Sequence, residues 1–303
     1  MEWYWIILIV IGGLIASYLI YLVIISFYMV HAFTHPHFDT RENRKKLNHS
    51  YGFDKFAKAY QRNDITFKMS DGYLIHGDYS INDPHKFIIF VHGHASTREG
   101  CIKYTQAFYH LGYSLILYDL RSHGDNKRSY VSMGYQESKD LNEIINQVKD
   151  KFGQDIEIGL FGVSMGGATT LLLTQYRQDI KFIVSDCAFA SLKDMCTSKV
   201  HQHHGVAHHF NPLVNLIFKC KYHFSFKDIE PYKVLQSNTI PVLFIQGEKD
   251  QTVLVANAFK LYQNNKGLKR LELFPNAGHG QSINKDKHRY LTIAEEFIKE
   301  VGA

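Results

Sequence analysis

The sequence predicts a mainly parallel α/β sheet covered by helices on both faces, with an antiparallel hairpin at its start, a helical cap insertion late in the chain and one N-terminal transmembrane helix. Three observations carry that expectation. From about Asp64 onward, short apolar runs alternate with helix-period segments, the pattern of buried parallel strands joined by crossover helices. Two roughly alternating runs, Ile65–Ser70 and Tyr73–Ser80, are joined by Asp71-Gly72, a hairpin signal. Trp3–Val30 contains no charged residue.

The uncharged run comes first. A helix of that length spans about 42 Å at ~1.5 Å per residue, more than the ~30 Å hydrocarbon core of a bilayer. Trp3, Tyr4 and Trp5 open it and Phe27 and Tyr28 close it, which suits the two interfaces. A buried core helix is not apolar all round over such a length. A cleaved signal peptide is the rival, since Val30-His31-Ala32 loosely resembles a small-x-small cleavage site. Against it, only Glu2 precedes the run where a basic region is usual, and the run exceeds the usual signal length. The expectation is a retained single-pass anchor over residues 1–30. Arg41, Arg44, Lys45 and Lys46 follow it closely, and the positive-inside bias puts the domain beyond them on the cytoplasmic side.

Residues 31–63 read as a polar connector with one short amphipathic helix. The domain proper then covers 64–303. After the hairpin its strand runs are Phe87–Val91, Ser114–Tyr118, Ile156–Phe161, Phe182–Ser185, Val242–Ile245 and Leu271–Phe274. Helical periods fall at Gln136–Phe152, Met165–Tyr176, Val253–Asn264 and Asp286–Val301. Between Phe189 and Ile240 the rhythm breaks. An insertion of about 50 residues there lies over the carboxyl ends of the strands, where ligands bind in such sheets. It reads as a helical cap over about 190–240.

Composition narrows the class. Hydrophobic residues make up 45% of the 303, which excludes a disordered chain. The net charge of +5 is scattered and gives no nucleic-acid footprint, which needs basic residues gathered on one face. The four cysteines, Cys101, Cys187, Cys196 and Cys220, form no Cys-x-x-Cys pair, and a chain with its own core does not need a disulfide framework. Oligomeric state is left open.

The chemistry starts at Gly162-Val163-Ser164-Met165-Gly166. Gly-x-Ser-x-Gly between an apolar strand and a helix makes a sharp turn that pushes the serine hydroxyl into the open. A hydroxyl is a poor nucleophile without a base. The chain order for this kind of turn is nucleophile, acid, histidine. Asp250 follows the Val242–Ile245 strand in Gly247-Glu248-Lys249-Asp250, with a helix N-cap as its plain reading and Glu248 as the only close substitute. His279 follows the last strand in Asn276-Ala277-Gly278-His279-Gly280, where small neighbours let the ring approach the serine. His92-Gly93-His94 follows Phe87–Val91. The backbone N–H groups of His94 and Met165 are the candidate oxyanion donors, a role worth roughly 3–4 kcal/mol for each donor. No cofactor or metal is called for by this set.

These residues resemble α/β-hydrolases, and within them the bacterial membrane-linked members. Asp119-Leu120-Arg121-Ser122-His123-Gly124 is similar to the Asp-x-Arg-Gly-His-Gly turn of that family, with Ser122 in place of the usual glycine. Gly134-Tyr135-Gln136-Glu137-Ser138-Lys139-Asp140 opens the next helix in the family manner. The resemblance covers roughly four-fifths of the chain, from about Asp64 to the end. It implies a Ser-His-Asp hydrolase and names no substrate.

Ser164, His279 and Asp250 in those roles make an ester or thioester hydrolase acting on a small acyl substrate. A peptidase on the same triad is the nearest alternative, because a triad does not separate ester from amide. A non-catalytic binding module with the same fold is the alternative from another class. The apolar cap residues Phe210, Leu213, Leu216, Ile217 and Phe218 suit an amphiphilic acyl chain, or equally cap packing. His201, His203, His204, His208 and His209 also fall in the cap. If the stretch is helical, His201, His204 and His208 share a face. Gly205 weakens such a helix, and its outer members lie about 10 Å apart, too far for easy joint ligation. A polar cap surface is the plain reading; a metal site and a pH-responsive cap are the alternatives.

Overall fold

A computed structural model of the chain describes residues 2–58, 60–204 and 207–302, without the side chains of 57, 199–204 and 207–209. Its centre is one eight-stranded sheet, in the order β1-β2-β4-β3-β5-β6-β7-β8. The strands are β1 Asn63–Lys68, β2 Leu74–Ser80, β3 Asp83–Val91, β4 Tyr113–Tyr118, β5 Glu157–Val163, β6 Phe182–Asp186, β7 Val242–Gly247 and β8 Lys269–Phe274. β1 and β2 form the antiparallel hairpin, with Gly72 at φ +82° in its turn, and β2 pairs antiparallel with β4. All later pairings are parallel. Each predicted run lies within one of these strands but for one or two residues at its ends: Ile65–Ser70 runs two past β1, Tyr73 precedes β2, and Ile156 precedes β5.

The helices are α1 Trp3–Thr34, α2 Arg41–Ser50, α3 Asp54–Lys58, α4 Thr105–His110, α5 Tyr135–Phe152, α6 Met165–Leu173, α7 Leu192–His204, α8 Ala207–Ile217, α9 Pro231–Val234, α10 Ala256–Asn264, α11 Ser282–Lys285 and α12 Lys287–Glu300. They cover both faces, so the inner strands have two cores to feed. Along β3 the burial alternates sides: Phe87, Ile89 and Val91 enter a core shared with α5 and α6, and Ile88 and Phe90 enter one shared with α4 and α12. This is the period-2 geometry of a strand buried on both faces, and it explains the continuous apolar runs.

The connections between β6 and β7 contain no strand among the described residues. They consist of α7, α8, short turns and α9. Phe210 and Phe218 are fully buried in the core on the α5/α6 face, and Ile217 is nearly so. Leu213 packs partly buried against the same core and Leu216 stays exposed, so most of this apolar run is spent on packing. The side chains of His201, His203, His204, His208 and His209 lie outside the described residues.

α1 continues past the uncharged run to Thr34. Its most apolar 18-residue window has a mean hydropathy of 2.7 and no buried residue. The last turns behave differently. Ser26, Val30, Phe33 and Thr34 are buried, the Thr34 Oγ1 donates to Tyr222, and the Thr34 carbonyl accepts from the Val131 N–H. Apolar partners on the domain carry the helix onward after Val30. The connector is fastened by buried charge. Arg41 meets Glu99 at 2.8 Å, Arg62 bridges Asp78 and Glu99, and Arg98 bridges Asp78 and Asp119. Removing one partner of such a buried pair costs about 3–5 kcal/mol, because the other charge is left without compensation.

Candidate active site

The parallel register brings the strand ends to one edge. Val91 pairs with Gly162, Val163 with Asp186, Asp186 with Ile245 and Gly247 with Phe274. The residues that follow β3, β5, β7 and β8 therefore converge there, and these are the segments bearing His94, Ser164, Asp250 and His279.

Ser164 alone forms the turn from β5 into α6, at φ 57° and ψ −120°. This is a strained conformation for a residue with a Cβ, held by the Ser164 N–H donating to Asp186 and the Ser164 carbonyl accepting from Ala168. The flanking glycines are required by space. A Cβ on Gly162 would lie 2.4 Å from the Gly166 carbonyl oxygen, and one on Gly166 would lie 2.1 Å from that of Val91.

The Ser164 hydroxyl donates to His279 Nε2 at 2.8 Å, and His279 Nδ1–H donates to Asp250 Oδ2 at 2.7 Å. Asp250 is held in turn. Its Oδ2 accepts from Gln246 Nε2, and its Oδ1 accepts from the Thr252 and Val253 N–H groups. Asp250 does not cap α10, whose N-cap is Val255; its carboxylate instead closes a short turn over Thr252 and Val253, and that turn orients it. Gly247 lets the His279 loop pass, since a Cβ there would lie 2.4 Å from the Ala277 carbonyl oxygen. Burial disfavours the His279 imidazolium, but Cys187 and the Asp250 carboxylate outweigh it, so the pKa is raised. Cys187 pulls only as a thiolate, and burial raises that thiol's own pKa. Near neutrality the pull therefore comes from Asp250.

His94 and Met165 line the same pocket as Ser164 and His279, a cavity of about 160 Å³. Met165 is the first residue of α6, where an N–H has no acceptor within the helix. The His94 loop is built by two neutral histidines. His92 Nε2 accepts from the Leu120 N–H while its Nδ1–H donates to Gly93. His123 Nε2 accepts from the Ala95 N–H while its Nδ1–H donates to Arg121. Each accepting nitrogen requires a neutral ring, and burial lowers both pKa values, that of His92 to about 4. The Asp119–Gly124 turn thus clamps the loop that follows β3. Its Arg121 also grips Asp140 of α5 bidentately at 2.8 and 2.9 Å, joining the two supporting motifs.

Two neighbours escaped the sequence reading. Asp186 ends β6 and Cys187 follows it, beside the triad. Asp186 is fully buried, accepts from the Tyr290 hydroxyl at 2.9 Å, and has its pKa raised to about 6 by burial. Only the register of β6 against β7 reveals the placement. Cys187, Asp250 and His279 have donor atoms within 4.8 Å of one another. Those are zinc-type ligands, but both imidazole nitrogens are already engaged, and a ligating thiol must first ionise. The set reads as a hydrogen-bonded triad with a buried thiol beside it.

A family model described as Hydrolase_4, serine aminopeptidase S33, matches residues 82–237, just over half of the 303. The chain belongs to the Hydrolase_4 family. The span matched in this Hydrolase_4 member includes Ser164 and ends before Asp250 and His279. The Bacillus subtilis protein YqkD is 27% identical over 269 residues, covering 87% of this chain and 88% of its own. Esterase Pf2001 of Pyrococcus furiosus superposes with a TM-score of 0.65 at 21% identity, over 80% of this chain and 93% of that one. Esterase EaEST of Exiguobacterium antarcticum gives 0.58 at 19%, over 77% and 98%. These likenesses carry the α/β-hydrolase fold, and this Hydrolase_4 member is a hydrolase.

Proposed function

We propose that the chain is a membrane-anchored serine hydrolase that cleaves carboxylic esters or thioesters through an acyl-enzyme on Ser164. The observation that carries this is the unbroken hydrogen-bond chain Ser164–His279–Asp250, at 2.8 and 2.7 Å. Ser164 Oγ attacks the acyl carbonyl while His279 Nε2 takes its proton. Asp250 holds the imidazole tautomer and stabilises the imidazolium. The His94 and Met165 N–H groups receive the charge that develops on the carbonyl oxygen. His279 returns the proton to the leaving group, and water, activated by the same imidazole, releases the acid.

Phe33, Met133, Phe189, Met195 and Val253 line the serine side of the pocket, which favours a short apolar acyl group. The solved neighbours described as esterases support the ester class. The family description, a serine aminopeptidase, favours the same triad acting on an amide, and that is the second reading. Burial of Val30, Phe33 and Thr34 against the domain supports retention of α1 as an anchor, since cleavage at Val30-His31-Ala32 would remove Val30 from the core.

The test is a panel of p-nitrophenyl esters, acyl-thioesters and aminoacyl amides, run with Ser164→Ala beside the natural enzyme. Ser164→Ala is expected to lose fluorophosphonate labelling and roughly 10⁴-fold or more in turnover. Undiminished hydrolysis by that variant would remove Ser164 from the mechanism. Turnover of amides alone would select the peptidase reading.

A further inference from the structure

His279 lines a second cavity. It has a volume of about 410 Å³, within the ~300–1,000 Å³ range of small-molecule sites, and its lining shares His279 alone with that of the apolar pocket. Three cationic side chains line it, Arg44 from α2, Lys103 from the 3₁₀ turn Arg98–Tyr104, and Lys285 from α11. No carboxylate among the described residues does.

The cations are differently committed. Arg44 meets Asp39 through Nε at 2.5 Å, which engages one of the five N–H donors of a guanidinium. Lys103 donates to the Gly280 carbonyl at 2.7 Å and to Asn284 Oδ1 at 2.9 Å, two of the three protons of an ammonium. Lys285 pairs with no carboxylate among the described residues. The Lys103 bond to Gly280 also fixes this wall of the cavity directly beside His279.

The two cavities differ in chemistry and share the imidazole. Ser164 lines the apolar one and does not line the cationic one. In acyl transfer the histidine faces the departing group, because it hands that group its proton. We infer that the cationic cavity is the leaving-group subsite and takes a phosphate-bearing alcohol, so that the substrate is a short-chain acyl ester whose alcohol part carries a phosphate. This rests on the serine-hydrolase reading of Ser164. Guanidinium and ammonium donors are the usual partners of phosphate oxygens. The phosphate belongs either to a soluble ester or to a lipid headgroup, and exposed Leu47 and Tyr51 at the rim leave room for the second.

The test compares two esters that differ only in the phosphate, 1-butyryl-glycerol and 1-butyryl-glycerol 3-phosphate, on the full chain in detergent. The phosphate ester is expected to have a kcat/KM at least tenfold higher at low salt, with the advantage shrinking as ionic strength rises. Lys285→Gln and Arg44→Gln are each expected to reduce that ratio by roughly tenfold, and Lys285→Arg and Arg44→Lys to restore most of it. A third arm uses 1-O-hexadecyl-2-butyryl-glycerol 3-phosphate and its phosphate-free counterpart in mixed micelles, where the uncleavable ether chain anchors the lipid and the scissile acyl group stays short. Preference in the soluble arm alone assigns a water-soluble phosphate ester, and preference in the micellar arm alone assigns a lipid headgroup. Equal kcat/KM for phosphate and neutral esters in both arms, with hydrolysis still abolished by Ser164→Ala, overturns the subsite and leaves the triad standing. Calorimetric binding of glycerol 3-phosphate to Ser164→Ala protein reads the subsite without turnover. Binding that Lys285→Gln weakens supports it even if no ester is cleaved, and no binding in excess of glycerol overturns it.

Discussion

The imidazole of His94 donates from Nε2 to the carbonyl oxygen of Phe33 at 2.8 Å. That bond joins the loop bearing a proposed oxyanion donor to the last turn of the long apolar helix. The Phe33 ring lines the same pocket as Ser164. The helix is thus a wall of the site as well as a candidate anchor.

A truncation series follows from this. Deleting residues 2–16 removes only exposed positions, and the domain is expected to keep its melting temperature and its kcat/KM in detergent. Deleting residues 2–34 removes Val30, Phe33 and Thr34 from the core and takes away the Phe33 carbonyl that accepts from the His94 ring. Both Tm and kcat/KM are expected to fall. Phe33→Ala isolates the wall, and a buried Phe→Ala change costs about 3–5 kcal/mol. Equal melting temperatures for the two truncations would reduce α1 to a tether.

How much of this was legible in the sequence depended on whether a signal is local. The strands are legible because burial on both faces leaves continuous apolar runs, and the Ser164 turn is legible because its two glycines answer a purely local crowding. Asp250 and His279 stand out by their place after successive strands, which the parallel register turns into proximity. Phe33 does not, because the residues that face lipid and those that face a core have the same hydropathy. Phe210 and Phe218 were ambiguous for the same reason and proved to be packing. Asp186, Cys187 and Lys103 carry no motif, and their nearness to His279 exists only across the folded sheet.

The pH dependence has a definite sign. His279 must be neutral to take the Ser164 proton. Burial works against the charged ring, but Cys187 and Asp250 together raise its pKa above the ordinary 6.5, with Asp250 the cause that persists near neutrality. The neutral fraction grows as pH rises through that raised value. kcat/KM is therefore expected to fall as pH is lowered, along an acid limb whose midpoint lies above 6.5. A pH–rate profile on p-nitrophenyl butyrate, with Asp250→Asn measured over the same range, checks it. Asp250→Asn is expected to be slow and to have its limb displaced to lower pH. An acid limb at or below 6.5 in the natural enzyme would mean that burial outweighs Asp250.

Ser122 stands where the family turn usually has glycine, and its backbone shows why glycine is usual: φ is +72°, a left-handed conformation costing a residue with a Cβ about 1–2 kcal/mol. The side chain offsets this. Its hydroxyl donates to the Ser129 carbonyl and accepts from the Ser129 N–H, both at 2.9 Å and part-buried, and such bonds contribute about 0.5–1.5 kcal/mol each. Ser122→Ala keeps the strain and loses both bonds, so it is expected to destabilise by about 1–3 kcal/mol. Ser122→Gly loses the same bonds but relieves the strain, with part of the relief returned as the larger unfolded-state entropy of glycine. The expected order of urea midpoints is natural enzyme, then Ser122→Gly, then Ser122→Ala, with roughly 1 kcal/mol between the two variants. Ser122→Ala matching the natural midpoint would show that the hydroxyl is not what lets serine occupy this turn.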